Sequence, residues 1–338
     1  MSSTAAWMQR VHVPQGFPKV NTDAAPTAVF LVLFLAGAIS NIILFRRNTA
    51  RGHKFLFNGL CVGFCMARVV TCSLRLAWTC NIEDRDLAIA ATIFVAAGVL
   101  ILFIINLLFA QRILRGLHPH LGWHKAISRT FLVLYALIPL LLAMVITATV
   151  QSFFTTDRNI VRMDIDMQRG ASSYFLFFAF LPMPITLFAL LYPKTSEPDH
   201  FGKGAWAHKA AVVLGASAFL CLGAGFRIGT LFISWTTALT QNPPWWNAKW
   251  CFYFFNFTVE LIVIVMYLVL RIDLLFHVPD GSKGPGSYSR NAKLSETKVG
   301  DDNSEIRRLQ RASTDRTLHT ETEPQSPVGA HVSEKGQV

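Results

Sequence analysis

The sequence predicts an all-α fold: a polytopic membrane protein built as a seven-transmembrane-helix bundle, with its N-terminus outside and its C-terminus in the cytosol. Three observations predict it. Of 338 residues, 52% are hydrophobic and only 15% charged, with 27 Phe, a balance far from that of a soluble domain. The apolar residues fall in runs of about 20 that are apolar all round, as lipid requires. Lys and Arg gather in alternate connections between those runs.

A hydrocarbon layer of about 30 Å takes roughly 20 helical residues to cross. Seven stretches are long enough: Ala24 to Phe45, Phe55 to Trp78, Leu87 to Ala110, Thr130 to Ser152, Ser173 to Pro193, Ala210 to Trp235 and Cys251 to Arg271. A membrane barrel would instead alternate in pieces of about ten residues, and these runs are continuous. Residues 1–23 hold no apolar core of a cleavable signal, so they read as a short extracellular segment and the first span as its own insertion signal. Residues 24–276 form the membrane domain, and residues 277–338, rich in Gly, Ser, Thr, Pro and charge, read as a disordered cytosolic tail. In that tail Ser313 and Thr314 follow clustered Arg, and Ser326 precedes Pro327, which suits phosphorylation.

Orientation follows from basic residues in short loops, because those charges resist translocation. The connections after the first, third and fifth spans carry Arg46, Arg47, Arg51 and Lys54, then Arg112, Arg115, Lys125 and Arg129, then Lys194, Lys203 and Lys209. The opposite side holds Arg10, Lys19, Arg85, Lys249 and the stretch TTDRNIVRMDIDMQRG, read as an outer loop in which three Arg face three Asp. The net charge of +11 is thereby assigned to the membrane surface and not to nucleic acid. His-Lys occurs three times on the cytosolic side, as His53-Lys54, His124-Lys125 and His208-Lys209, each opening an even-numbered span. The plain reading is interfacial anchoring beside the lipid bilayer; the alternative is contact with anionic lipid or a cytosolic signalling protein.

Charges inside the spans carry the functional signal. An Arg at the centre of a spanning helix costs about 2.5–3.5 kcal/mol, so it is expected to face protein or a wet cavity. In the second span Asn58, Cys61, Cys65, Arg68, Cys72 and Arg75 are spaced by 3, 4, 3, 4 and 3, which draws one stripe along one helix face. The seventh span carries its own stripe, Tyr253, Asn256, Glu260, Tyr267 and Arg271. Counting residues from the span ends brings Arg68, Arg75, Arg227 and Glu260 together in the outer half. Three bases then face one acid, leaving Glu83, Asp84 and Asp86 of the outer loop, water or an anionic ligand to meet the excess. The structural reading is an internal ion-pair network; the functional one is an outer-half pocket for a polar or acidic ligand, lined by these four and Asn256.

Elsewhere the expectations are architectural. Gly59-x-x-x-Gly63 and Gly225-x-x-x-Gly229 permit close helix approach, and Pro139, Pro182 and Pro184 bend their helices. Cys80 and Cys251 fall near the outer surface, where a bridge is one outcome and free thiols the other. No metal and no cofactor are expected. None of the ten His lies inside a predicted span, and the seventh span has no Lys for a Schiff base. With no Ser-His-Asp set, phosphate-cradling loop or Cys-x-x-Cys pair, the chain does not read as an enzyme.

The strings RGHKFLFNGLCVGFCMARVVTCSLRLAW and FVAAGVLILFIINLLFAQRILRGLHPHLGWHK resemble those of an uncharacterised fungal family of seven-helix membrane proteins, often labelled "family C-like G-protein-coupled receptor". The resemblance covers roughly residues 25–276 and implies a receptor-like protein of the plasma membrane. It carries over no catalytic or ligand-binding residue. AQRIL follows the third span and VMYLVL ends the seventh, where rhodopsin-like receptors have Asp-Arg-Tyr and Asn-Pro-x-x-Tyr. Two function classes stay open, a receptor-like sensor and a transporter or lipid-handling protein.

Overall fold

The structure, a computed structural model, describes residues 16–50, 55–193, 197–237, 245–279, 281, 282 and 284–291. The chain divides into two compact units, Met1–Ser289 and Arg290–Val338, and only Arg290 and Asn291 of the second are described. The first unit is helical, and among the described residues seven helices are long and apolar enough to cross a membrane: Val20–Ala50, Leu56–Cys80, Arg85–Leu117, Lys125–Phe154, Arg158–Leu191, Trp206–Ile233 and Lys249–Val269. One end of the bundle, the near end, holds Asp23 and Lys249; the far end holds Asp199 and Asp273.

Each helix runs beyond the apolar stretch that signals it. The first begins at Val20 because the Asp23 carboxylate accepts the Lys19 amide at 2.9 Å. The fifth begins at Arg158, so most of the stretch read as an outer loop is helical. Asp157 caps it, accepting the Asn159 amide at 2.8 Å, and Asp164, Ala171 and Phe178 point one face inward at intervals of seven.

Three spans are interrupted. The third breaks at Val99, between Arg85–Gly98 and Leu100–Leu117. The fifth breaks at Leu181, where Pro182 has no amide to donate back into the preceding turn. The seventh contains a π-helical turn, Phe254–Thr258.

Packing is set by aromatic side chains and a few close backbone approaches. Phe34, Phe64, Phe103, Phe109 and Phe257 are fully buried, while Val29, Val32, Leu33, Leu132 and Leu140 are exposed on outward faces, as a lipid-facing surface requires. The expected glycine pairs are not contact points: a Cβ on Gly63, Gly225 or Gly229 would meet nothing within 4 Å, and one on Gly59 only the edge of Phe45. Close approach occurs at Gly37, 3.3 Å from the Cys65 sulfur, and at Gly223, 3.0 Å from the Phe255 carbonyl. Cys80 and Cys251 are both free, the latter buried with its thiol directed to the Trp245 carbonyl, so no bridge joins them.

The three His-Lys pairs do not share one environment. His53 and Lys54 lie outside the described residues. His124 caps the fourth span by accepting the Ala126 amide, and Lys125 and His208 are exposed. Lys209 is buried, not interfacial; its ammonium donates to the Phe201 carbonyl and lies against the Phe201 and Trp206 rings. Arg271 also leaves its expected place. It adopts a left-handed conformation (φ 50°) that ends the seventh span, and its guanidinium pairs with Asp273 at 2.9 Å. The segment from residue 277, which composition marks as disordered, folds back in part: residues 287–289 are helical and Tyr288 is buried, because an aromatic ring finds an aromatic floor.

Asp273 ties both ends of the bundle's chain together, since Asn48 at the end of the first span donates to it at 2.9 Å. Burial pushes its carboxyl up, but the hydrogen bonds from Arg271 and Asn48 outweigh this and hold it below the ordinary 3.8. A lowered folded value means that the stability it supplies is full above 3.8 and is lost as pH falls through the folded value. Asp273→Asn is therefore expected to melt lower than the wild type at neutral pH. The gap closes in acid, as differential scanning fluorimetry of the detergent-solubilised protein across that range measures.

Candidate functional site

The sequence places a carboxylate, Glu260, in the middle of an apolar helix, and the fold surrounds it with bases. Arg68 grips it with two parallel bonds, Nε to Oε2 at 2.5 Å and Nη2 to Oε1 at 2.7 Å. Arg227 donates its Nη2 to the same Oε1. Arg227 also donates Nε to the Asn256 Oδ1 at 2.7 Å, and Asn256 is held in that orientation by donating to the Phe252 carbonyl at 3.0 Å. Four of the five sequence-predicted residues, Arg68, Arg227, Asn256 and Glu260, thus meet.

The interruptions of the helices belong to this site. Arg68 uses its remaining nitrogen, Nη1, on the carbonyls of Val95 (3.1 Å) and Phe94 (3.3 Å), just before the break at Val99. A broken helix leaves carbonyls without their usual amide donors, and the guanidinium supplies substitutes. It lies so close that a Cβ on Gly98 would sit 3.1 Å from its Cζ. On the other side, the π-helical turn of the seventh span carries Asn256 and ends at the residue before Val259-Glu260, a widening of the kind found at functional sites.

Arg75 does not join this group. It pairs instead with Asp23 at 3.3 Å, with its Cζ 3.9 Å from the centre of the Phe252 ring. Lys249 reaches the other Asp23 oxygen at 3.2 Å, and the Tyr253 hydroxyl donates to Oδ1 at 2.9 Å. The outer-loop acids are occupied elsewhere or exposed: Asp84 caps the third span, and Glu83 and Asp86 lie at the surface. Asp23 is the buried charge that sequence reasoning missed, because it falls among the residues assigned to the extracellular segment. A signal was present, since Asp23, Thr27, Phe30, Phe34, Gly37 and Asn41 repeat the 4, 3, 4, 3, 4 spacing of a buried face.

Phe64 and Phe257 flank Arg68, at 5.7 and 5.6 Å from its Cζ, Phe103 is fully buried one turn before Asn106, and Phe109 lies beyond it, stacked on Phe276 at 4.1 Å. Asn106 is buried, donating to the Ser217 hydroxyl at 2.6 Å and accepting the Tyr267 hydroxyl at 3.4 Å. Among the described residues, no group of three or more His, Cys, Asp or Glu side chains is placed to share a metal ion.

Each charge cluster carries one surplus positive charge: Arg68 and Arg227 against Glu260, and Arg75 and Lys249 against Asp23. In the first cluster the surplus has a location. Arg68 is sealed, whereas the Arg227 side chain is 20% exposed. Removing Glu260 strands two bases, while removing Arg227 leaves a neutral, bidentate pair.

Residues 202–277 match a family described as a protein of unknown function, DUF3112. The match covers under a quarter of the chain and contains Arg227, Asn256 and Glu260 but not Arg68 or Asp23. Neither a curated protein nor a solved structure matches the chain. The matched segment closes on itself in space: the Lys203 amide donates to the Leu274 carbonyl at 2.8 Å, so its two ends lie side by side at the far end.

Two predictions follow from the site. Glu260→Gln is expected to cost about 3–5 kcal/mol of stability, the usual result of breaking a buried pair, whereas Arg227→Gln costs under about 1 kcal/mol. Chemical denaturation of the purified protein measures both. Gly98→Ala pushes a methyl against a guanidinium that four acceptors hold in place, and is expected to cost about 1–3 kcal/mol in the same assay.

Proposed function

We propose that this chain is a receptor-like, non-enzymatic integral membrane protein of the cell surface, and that it senses a small acidic ligand through the surplus positive charge of Arg227. The observation that carries this reading is the two-to-one ratio of bases to acid in a buried cluster. Arg68 alone would neutralise Glu260, so the second base adds desolvation cost without being needed for pairing. A carboxylate, sulfate or phosphate group reaching the open side of Arg227 would compete with Glu260 for it. Such competition loosens the sixth span from the seventh at the π-helical turn, giving the ligand different affinities for two arrangements of the bundle. Basic connections at the far end offer anionic lipid or a cytosolic signalling protein a surface from which to read that change.

The alternative, a transporter, needs a polar route through the bundle. Phe64, one turn beyond Arg68 on the second span, and Phe103, one turn before Asn106 on the third, are fully buried between those two levels, which favours sensing over transport. The test is a thermal-shift screen of small carboxylates, sulfates and phosphates against the full-length protein in nanodiscs. Wild type is expected to be stabilised by at least one acidic class, and Arg227→Gln to weaken the apparent affinity about tenfold or more. An undiminished shift in the variant overturns the reading.

A further inference from the structure

The segment after the seventh span returns to the far end of the bundle, and one carboxylate holds it there. Asp199, in the connection between the fifth and sixth spans, is 3% exposed. Its own amide donates to the Gly116 carbonyl at 2.7 Å, so its place is fixed by the end of the third span. Its carboxylate then accepts three donors: the Tyr288 amide at 3.1 Å on Oδ2, and the Ser289 amide at 2.7 Å and hydroxyl at 2.8 Å on Oδ1. All three donors are uncharged.

The Tyr288 ring completes the attachment. It packs edge-on against Phe201 and Trp123, with centroids at 5.4 and 5.9 Å, and is 3% exposed. The floor beneath is rigid, because Phe201 rests on Gly116, where a Cβ would come within 2.8 Å of the ring. The two serines beside Tyr288 differ. Ser287 is buried and its hydroxyl turns back to the Gly284 carbonyl, whereas Ser289 is half-exposed at the rim with its hydroxyl on Asp199.

We propose that Ser289 is a phosphorylation site and that phosphate there detaches residues 284–289 from the bundle. A serine kinase with a nucleoside triphosphate supplies the group. The Ser289 oxygen bonds to the γ-phosphorus as the bond from that phosphorus to its β-bridging oxygen breaks. Nucleoside diphosphate leaves, and the hydroxyl proton passes to the kinase's base. The modified side chain carries a charge of about −2 and no longer has the proton it donated. It is then held against a buried carboxylate that, among the described residues, bonds to no base, Arg115 and Arg112 being directed to the Tyr288 phenol instead, so the attraction that fixes Ser289 becomes repulsion. Detachment uncovers Phe201 and the end of the third span. The inference requires the far end to face the cytosol, and it stands apart from anion sensing at Arg227.

Hydrogen exchange read by mass spectrometry on the full-length protein in nanodiscs tests it. Phosphoserine installed in place of Ser289 is expected to speed exchange of the Tyr288 and Ser289 amides about tenfold or more, as the loss of charge-assisted hydrogen bonds implies. Ser289→Ala keeps both amide bonds and is expected to change them less. In Asp199→Asn the added effect of the phosphate shrinks, because the repelling charge is gone. Unchanged protection with phosphoserine, or an equal response in Asp199→Asn, overturns the proposal. In a parallel arm, full-length protein incubated with eukaryotic cytosolic extract and labelled ATP is expected to take up label at Ser289, lost in Ser289→Ala. Label confined to other residues also overturns it.

Discussion

The rest of the structure depends on an ionised carboxylate in a place where lipid cannot tolerate one. Glu260 sits in a run of Val, Leu and Ile that leaves it no route to water, so its charge must be met inside the protein. Meeting it fixes the rotation of three helices at once. The second span must present Arg68, the sixth Arg227, and the seventh must widen where Asn256 steadies Arg227. The third span is drawn in as well, because Arg68 spends its remaining donor on carbonyls beside the break at Val99. A helix interruption that would be costly alone is thus offset by the same side chain that neutralises the acid.

The near end repeats this logic with different parts. Asp23, Arg75, Lys249 and Tyr253 tie the start of the first span to the second and seventh. Aromatic faces assist in both clusters: Phe252 lies under Arg75, and Phe64 and Phe257 lie beside Arg68. Such rings supply part of the negative potential that a second acid would otherwise provide. They also replace water, which makes the ion pairs stronger and the unpaired surplus more consequential. Surplus charge that stability does not require is what directs attention to Arg227 as a point of contact with something outside the bundle.

The far end is organised differently, by two separate acids, Asp273 paired with the neighbouring Arg271 and Asp199 held by neutral donors. Asp273 joins the end of the first span to the end of the seventh, and Asp199 joins the end of the third to the returning segment. Each acid therefore bridges elements that are remote in sequence. This end has the means to be altered by chemistry at one residue, whereas the interior cluster is sealed except at Arg227.

By itself the sequence determined the number of spans, the all-helical class and the inward stripes of the second and seventh spans. Lipid makes those features local: twenty apolar residues suffice for a span, and a charge within one has to turn inward. Arg68, Asn256 and Glu260 were legible for that reason. Only the tertiary structure decided which base meets which acid. Arg75 went to Asp23 because the first helix extends four residues past its apolar run and carries an acid to that depth. Lys209 was drawn into an aromatic cage, and Tyr288 onto a floor built from Trp123 and Phe201. The Arg75 and Tyr288 pairings join residues tens to hundreds of positions apart, and even the local Lys209 contact depends on the turn of the chain, whereas hydropathy, which sums over neighbours in the chain, carries no information about partners in space.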